Sequence, residues 1–557
     1  MSNTVWDYVV VGGGIAGSVV AARLLQLNPL LRILLVEAGP DASEDEGILY
    51  ADSANLDGGT YDWKYQTVPQ KNLGNRRIDL PCGKALGGGS VINYGAWIRG
   101  HKVDFDLWGK TVKDSRWTYE GLLPYMKMAE NVASATVDSH EHGTDGPVHL
   151  QTSVSTSRAY PLRQAVLESW EEVGIQKLPF LDANAGIPLG VGDFYENRRQ
   201  GRRQIAPVSF PLNGIAIMPN TIVAKILFKK KSAYSQGHVQ ACGIQLADGT
   251  EIHGKEVILS LGAIRTPQLL MLSGIGPANE LAKHGIEVML DAPHVGDNLS
   301  DHGRIGTMWK LNPSWSGSAL GPGNEIFQQP QYRWGLPLDF VVTTGIQNKA
   351  GLAEAIEADE GVAPDPATHP LLNQDRAFNE HLIMYTDGGN GSAITFVLVN
   401  LLPTSRGKLT MSTSDINDPP LIDPNYNSTE VDKFVMREGL RLQIKLAGSK
   451  FATMGRDILG GELGIPGFEE TLTSASTDEY LNSRVAAGLI SSYHPMGTAA
   501  MGKVVDADLK VNGVSGLRVV DASVFPSAIT GHPQVALYAM ALQAAEIIHN
   551  QELKSAN

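Results

Sequence analysis

The stretch DYVVVGGGIAGSVVAARLLQL, residues 7–27, decides the fold of the amino-terminal part of the chain. Its β-branched run predicts a buried strand, its glycines break that run, and the apolar spacing that follows predicts a helix. The segment RILLVEAG, residues 32–39, predicts a second buried strand. Strand, glycine turn, helix and strand in this order form half of a dinucleotide-binding unit.

The glycines of the turn, Gly12, Gly14 and Gly17, are spaced as GxGxxG. The first permits a tight turn, the second lets the backbone approach a pyrophosphate, and the third allows the helix to pack closely on the sheet. The helix N-terminus would bind the phosphates. Glu37, at the end of the next strand, is placed to accept hydrogen bonds from ribose hydroxyls, which favours FAD or NAD over NADP. A purely structural turn is the alternative.

Composition and charge favour a compact globular protein that acts on a small molecule. The 557 residues are 43% hydrophobic and 19% charged, and the net charge of -14 argues against a nucleic acid or an anionic membrane as partner. Two cysteines, Cys82 and Cys242, disfavour a disulfide framework or a cysteine zinc site. Neither an apolar run of about 20 residues nor a secretory leader is recognisable, so we expect a cytoplasmic protein without a membrane partner.

Longer motifs follow the glycine turn. The first is GKALGGGSVIN, residues 83–93, with Trp97, Gly100 and Asp106 at fixed spacings, and the second is GAIRTPQLLMLSGIG, residues 262–276. Together with VGDNLSDH, LLPTSRGKL and VVDASVFP they resemble the signatures of the glucose-methanol-choline (GMC) flavoprotein oxidoreductases. The resemblance covers essentially the whole chain and implies FAD as the cofactor. Because neither GGGSVIN nor YGAW contains the histidine that tethers FAD in some relatives, we expect non-covalent FAD.

The resemblance also implies cofactor contacts far apart in the sequence. Asn93 is expected near the reactive ring, with a loop-capping role as the alternative, and Asp521 at the ribityl or diphosphate part of FAD. The backbone of Val223 is expected at the adenine. A helix that begins at Pro533 would direct backbone N–H groups at the flavin's pyrimidine edge, where negative charge collects on reduction. The remaining expected contacts are Gly87, Gly88, Ser90, Ala522, Gln534 and Val535.

The order of predicted elements indicates an α/β fold with two domains. A Rossmann-like FAD-binding domain, discontinuous in sequence, is assigned to residues 1–155, 206–305 and 488–557. A second α+β domain, built on an antiparallel sheet and expected to bind substrate, is assigned to 156–205 and 306–487.

Two histidines are the catalytic candidates. The resemblance makes His494, in SSYHPMGTAAMG, the base that takes the alcohol's hydroxyl proton as a hydride passes to flavin N5, because an imidazole with an ordinary pKa of about 6.5 suits that task. His532, in GHPQVALYAM, would hydrogen-bond the substrate oxygen. A histidine at this second position resembles the aryl-alcohol and glucose oxidase branches. Candidate pocket aromatics are Tyr493, Trp97 and Phe525.

The predicted reaction is oxidation of an alcohol, primary or aromatic, to the aldehyde, with electrons passed to oxygen, a quinone or a dye. A glucose-type sugar oxidase or dehydrogenase and a flavin-containing hydroxynitrile lyase remain alternatives. The intact histidine pair argues against a flavin protein without catalysis. His140 and His142 have a metal-like spacing without an evident third ligand, so a solvated loop is expected. The basic segments 197–204 and 229–231 are likewise expected to be solvated rather than an acceptor-docking patch.

Overall fold

The computed structural model describes residues 5–50, 56–132, 140–229, 239–322, 324–386, 389, 391–448, 450, 452–468 and 470–556. Within these residues two large sheets carry the fold, and each has its own hydrophobic core. The α/β class and the presence of a second, antiparallel sheet, both predicted from the sequence, are confirmed.

The first sheet forms around the apolar strand at the start of the chain. Its central strands are parallel, and Val11 lies beside Val36 on one side and Leu259 on the other. These strands are buried along almost their whole length, because helices cover both faces of such a sheet. The strands run in the order Ala216–Met218, Ile33–Val36, Trp6–Val11, Glu251–Leu259, Val239–Leu246 and Val223–Phe228, and Val514–Ser515 and Leu517–Val519 pair with the fifth and fourth of them.

Two helices from opposite ends of the chain complete this unit. The helix Ile15–Leu27 follows the glycine turn and packs against the last helix, Pro533–Ala556, which also packs against Tyr119–Ala129. The unit is therefore discontinuous in sequence, as predicted. Other helices of ten or more residues are Lys102–Val112, Arg163–Glu172, Gly262–Leu272, Lys349–Glu360, Glu430–Gly448 and Asp478–Gly488.

The second sheet is antiparallel. Burial alternates along Gly303–Leu311, which has Ile305, Trp309 and Leu311 on its buried side, as expected for a strand with one face on a core. The helix Glu430–Gly448 packs against this sheet. The strands run in the order Leu459–Leu463, Gly303–Leu311, Ala393–Asn400, Asn379–Met384, Phe340–Thr344 and Gly190–Asp193, and Ile490–Ser491 pairs with the second of them.

The predicted domain limits differ from the packing in the segment 407–423. Residues 407–423 were assigned to the second domain, yet Leu409, Ile416 and Ile422 belong to the core of the first sheet. The side chain of Arg265 donates to the Ile416 carbonyl, which ties this segment to the helix Gly262–Leu272. No helix among the described residues combines the length and apolarity needed to cross a membrane.

Candidate active site

A large cavity opens at the carboxyl ends of the first sheet's parallel strands. It measures about 1420 Å³ when the open solvent at its mouth is included. Its lining includes three residues that each follow directly on a parallel strand: Gly12, Glu37 and Ser260. It also includes Asp521, which lies two residues after the end of the parallel strand Leu517–Val519. Ligands of open α/β sheets bind at this edge because the strand-to-helix turns present their backbone N–H groups there.

The glycines predicted at the cofactor shape this wall. Gly12 has a φ of +99°, and a Cβ there would clash with the Ser260 carbonyl. A Cβ on Gly88 would lie 2.7 Å from the Cα of Gly14, so the two glycine segments touch backbone to backbone. Gly17 packs against the Gly12 carbonyl and, like Gly87, does not line the cavity.

The cavity wall fits a cofactor with a pyrophosphate. At Gly14, Gly89 and Gly262, which line the cavity, a Cβ would meet no atom closer than 3.9 Å, so side chains there would fill the cavity itself. Gly262 also begins a helix, and the N-terminus of a helix favours an anion. Glycine at these positions therefore keeps room for a bound group.

Two buried carboxylates lie at separate parts of this wall. Glu37 accepts hydrogen bonds from the backbone N–H of Gly13 (2.8 Å) and of Gly39 (2.7 Å), and burial raises its pKa to about 7. Asp521 accepts from the Gly262 N–H (3.0 Å) and the Thr266 hydroxyl (2.6 Å), and burial raises its pKa too. Both line the cavity, as do the predicted contacts Val223 and Ala522.

Asn93 lines the cavity and is held in one orientation. Its Nδ2 donates to Gln534 Oε1 (3.2 Å), and its Oδ1 accepts from Arg203 Nη1 (2.9 Å). The Ser90 side chain turns into the loop, because its hydroxyl donates to the Gly87 carbonyl (2.6 Å). Ser90 is therefore a loop-shaping residue, not a wall of the cavity.

The start of the last helix lies behind this loop. Gln534 donates to the Ala96 carbonyl, and its Oε1 also accepts from Asn197. The cavity is lined by Leu537 of this helix and not by the three residues predicted to meet the flavin, Pro533, Gln534 and Val535.

The two candidate histidines come together at one end of the cavity, just outside its lining residues. The ring centroids of His494 and His532 are 4.8 Å apart, and the residues on either side of His494, Tyr493 and Pro495, line the cavity. Burial lowers the pKa of His494 well below its ordinary value, and the nearby His532, His302 and Arg304 lower it further. His494 is therefore neutral near pH 7, the state that can take a proton.

Asp301 and His302, from the VGDNLSDH motif, hold His494. The Asp301 carboxylate accepts from the His494 backbone N–H (2.8 Å), and His302 Nδ1 lies 3.0 Å from His494 Nδ1. The pairing of Gly303 with Ser491 brings these segments side by side. His302 is a site residue to which the sequence motif alone assigned no role.

Glu380 is a further residue that sequence reasoning missed. It is fully buried in the strand Asn379–Met384, and both its carboxylate oxygens lie 3.1 Å from His532 Nε2. It is 152 residues from His532, and no local motif marks it.

Tyr493 is the predicted pocket aromatic that lines the cavity. Its ring stacks on Tyr94 with a centroid distance of 6.3 Å, and both hydroxyls donate to one oxygen of Asp57 (3.2 Å each). The Arg304 guanidinium lies over the Tyr493 ring. These residues form an aromatic and polar boundary beside the histidine pair.

The other two predicted pocket aromatics are core residues. Trp97 is completely buried, bonds Glu130 through its ring nitrogen (3.1 Å) and packs on Tyr538. Phe525 is completely buried against Trp108. Neither lines the cavity, so the assignment of both to the substrate pocket is corrected.

The expectation of a solvated loop is wrong for His142. Its ring is buried between Glu130 and Asp182, at 2.9 Å from each, whereas His140 is exposed. Burial lowers the pKa of His142, but the bonds to Asp182 and Glu130 outweigh it and raise the pKa overall. Among the described residues no group of three or more His, Cys, Asp or Glu side chains is arranged to hold a metal ion.

The basic segment 197–204 is only partly solvated. Arg198 and Arg203 are buried, whereas Arg202 is exposed. Burial lowers the pKa of Arg203 to about 9. Lys229 is exposed, and Lys230 and Lys231 lie outside the described residues.

Comparison with known proteins decides the family. Models described as GMC oxidoreductase match residues 6–304 and 403–541. The chain belongs to the GMC oxidoreductase family. GMC oxidoreductases bind FAD, and the cavity described above fits that cofactor.

Relatives of this GMC oxidoreductase extend over its whole length. It is 36% identical to the GMC-type oxidoreductase acuG of Aspergillus aculeatus, over 98% of this chain and 99% of the relative. It is 31% identical to choline oxidase of Arthrobacter globiformis, over 99% of this chain and 95% of the relative. A solved structure of an Aspergillus oryzae formate oxidase variant superposes with a TM-score of 0.85, at 27% identity and full coverage of both chains. The protein is thus an oxidoreductase of this family, and its relatives include an alcohol dehydrogenase of Pseudomonas putida and the choline oxidase.

Proposed function

We propose that this GMC oxidoreductase converts a primary or aromatic alcohol to the aldehyde, with His494 as the base. The observation that carries the proposal is the pair of imidazoles, 4.8 Å apart, at the end of a cavity whose far wall fits the phosphates of FAD. FAD, when bound, supplies flavin N5 as the acceptor of the hydride from the alcohol carbon.

The residues of the chain supply the proton chemistry. His494 Nδ1 faces His302, which leaves Nε2 as the nitrogen that takes the hydroxyl proton. His532 orients the substrate oxygen, and Glu380 holds the ring of His532 in place. The low pKa of His494 means that the base is ready without a preceding deprotonation.

The boundary formed by Tyr493 and Tyr94 supports an aromatic or flat substrate. Stacked rings offer a face on which such an alcohol can pack, and Asp57 beside them carries the polar end of the boundary. Two relatives are named for the alcohols choline and pyridoxine, of which pyridoxine is aromatic, whereas another is named for formate.

We further propose that FAD is bound without a covalent link. No histidine is among the described residues that line the cavity, and burial raises the pKa of the lining Cys82 thiol, which keeps it from reacting. Acid precipitation of the purified yellow protein should release the flavin into the supernatant. Colour that stays in the pellet would contradict this.

An anaerobic alcohol panel tests the proposed function. Aromatic and aliphatic primary alcohols, glucose and a cyanohydrin are each mixed with the FAD-loaded protein, and the flavin absorbance is followed. Bleaching with an alcohol and aldehyde formation support the proposal. Bleaching with glucose alone would make the protein a sugar oxidase, and aldehyde release from the cyanohydrin with the flavin still yellow would make it a lyase.

The acceptor is tested with the same preparation. Oxygen consumption and quinone or dye reduction are measured side by side with the best substrate. We expect turnover with at least one of these acceptors.

A further inference from the structure

The contact between His302 and His494 determines which nitrogen of the base carries a proton. The two Nδ1 atoms are 3.0 Å apart, and the rings are nearly perpendicular, at 89°. A hydrogen bond between two such nitrogens needs one proton, so one ring donates and the other accepts. The two directions have opposite consequences for catalysis.

If His302 donated, His494 would keep its own proton on Nε2. The nitrogen proposed to take the substrate proton would then have no lone pair. If His494 donates instead, its Nε2 is unprotonated and can act as a base. Only the second arrangement is compatible with the proposed function, on which this inference rests.

The surroundings of His302 favour the second arrangement. The ring is completely buried, and no described atom completes a hydrogen bond with its Nε2. The backbone groups of Leu401 and Ile529 lie near the ring and raise its pKa, as acceptors of a ring N–H do. Carbonyl oxygens are acceptors only, so an N–H on Nε2 is better matched to this environment than a lone pair. A proton on Nε2 makes Nδ1 the acceptor.

His302 also stays neutral, as an acceptor must. Burial and the nearby His532 lower its pKa to about 3. The adjacent Asp301 holds the backbone of His494, so consecutive residues fix both the main chain and the ring of the base.

We propose that His302 is a positioning residue that accepts the Nδ1 proton of His494 and thereby keeps His494 Nε2 available to the alcohol. His302 need not touch the substrate in this role. It acts by fixing the tautomer of its neighbour, as an orienting group does for a histidine base.

The experiment compares two replacements of His302 in the FAD-loaded protein. His302→Asn retains an oxygen that can accept near the position of Nδ1, whereas His302→Leu fills the space without an acceptor. The tautomer of His494 is read by ¹⁵N NMR of histidine-labelled protein without substrate, assigned with a His494→Gln sample. The rate of flavin reduction by alcohol is measured by stopped flow.

We expect an Nδ1–H tautomer of His494 in the parent and in His302→Asn. In His302→Leu the Nε2–H tautomer should appear, and flavin reduction should slow by on the order of 10²-fold. His381→Leu removes another completely buried histidine and should leave the His494 tautomer unchanged.

An Nε2–H tautomer in the parent overturns the proposal even if no variant folds. So does an unchanged Nδ1–H tautomer in His302→Leu, or equal rate losses in the Asn and Leu variants. Because the tautomer is read without substrate, an Nδ1–H signal in a protein that oxidises no alcohol would refute the proposed function and leave the role of His302 intact.

Discussion

The chemistry of the site depends on side chains that the catalytic loop does not itself contain. His494 and His532 lie on carboxyl-terminal loops. The ring of His494 is held by His302, in the turn that leads into the antiparallel sheet, and the ring of His532 is held by Glu380, in a strand of that sheet. The sequence motifs identified the pair. They did not reveal Glu380, because a single glutamate in the strand NEHLIM forms no local pattern and its partner is distant in the chain.

Replacement of Glu380 by Gln should lower kcat/KM by about tenfold to a hundredfold. The variant keeps the shape but loses the charge that strengthens the hydrogen bond to His532, and charge-assisted bonds of this kind contribute about 1.5–3 kcal/mol. Steady-state kinetics with the best alcohol measure the effect. Glu357→Gln, an exposed change in a helix, is the control. Unchanged kinetics in Glu380→Gln would show that His532 needs no carboxylate.

At the level of elements, the loop 83–93 is fixed from outside by Arg203. This guanidinium donates to the backbone carbonyl and side chain of Asn93 and to the Ile48 carbonyl (2.9 Å), with no carboxylate among these partners. The sequence could predict the loop from its glycines. It could not predict Arg203, because the surrounding run of arginines has the composition of a solvated segment. Arg202 and Arg203 form one short strand, so their side chains point to opposite faces, one exposed and one buried.

Arg203→Gln should weaken FAD binding by about tenfold or more. The variant loses several hydrogen bonds from a charged donor, and each such bond contributes about 1.5–3 kcal/mol. Without them the loop that carries Asn93 is no longer held in its position at the cofactor cavity. Titration of the apoprotein with FAD, followed by flavin fluorescence, gives the Kd. Arg202→Gln, one residue away and exposed, should bind FAD like the parent. Equal Kd values for all three proteins would contradict the role of Arg203.

The strand Glu130–Val132 and the segment around Asp182 are joined through the buried His142. The pKa of His142 is raised in the folded protein, above the unfolded value of about 6.5. The contribution of His142 to stability is therefore complete below pH 6.5. It is lost as the pH rises through the higher pKa that His142 has in the folded protein.

His142→Gln should lower the Tm most at acidic pH. Removal of one partner from a buried charge network costs about 3–5 kcal/mol where the network is charged. Thermal melting at pH 6 and pH 9 measures the difference between parent and variant. His140→Gln, an exposed neighbour, controls for the local change. A difference that is larger at pH 9 than at pH 6 would refute the assigned sign.

At the scale of the whole molecule, the sequence predicted the two sheets and the cofactor edge, because short local patterns encode them. Glycine spacing and continuous apolar runs predicted the parallel sheet and its cofactor edge, and strand-like runs between about residues 305 and 485 predicted the second sheet. Local patterns could not reveal that residues 407–423 pack on the first core, or that Trp97 and Phe525 face away from the cavity. Those outcomes depend on contacts between segments hundreds of residues apart.

The most direct measurement of the central claim is anaerobic stopped-flow reduction of His494→Ala by the best alcohol. The variant should retain FAD, because His494 does not line the wall that fits the phosphates, and should reduce its flavin about 10²–10⁴-fold more slowly than the parent. The control His253→Ala, a largely exposed histidine, should match the parent. A His494→Ala protein that is reduced as fast as the parent would contradict the account.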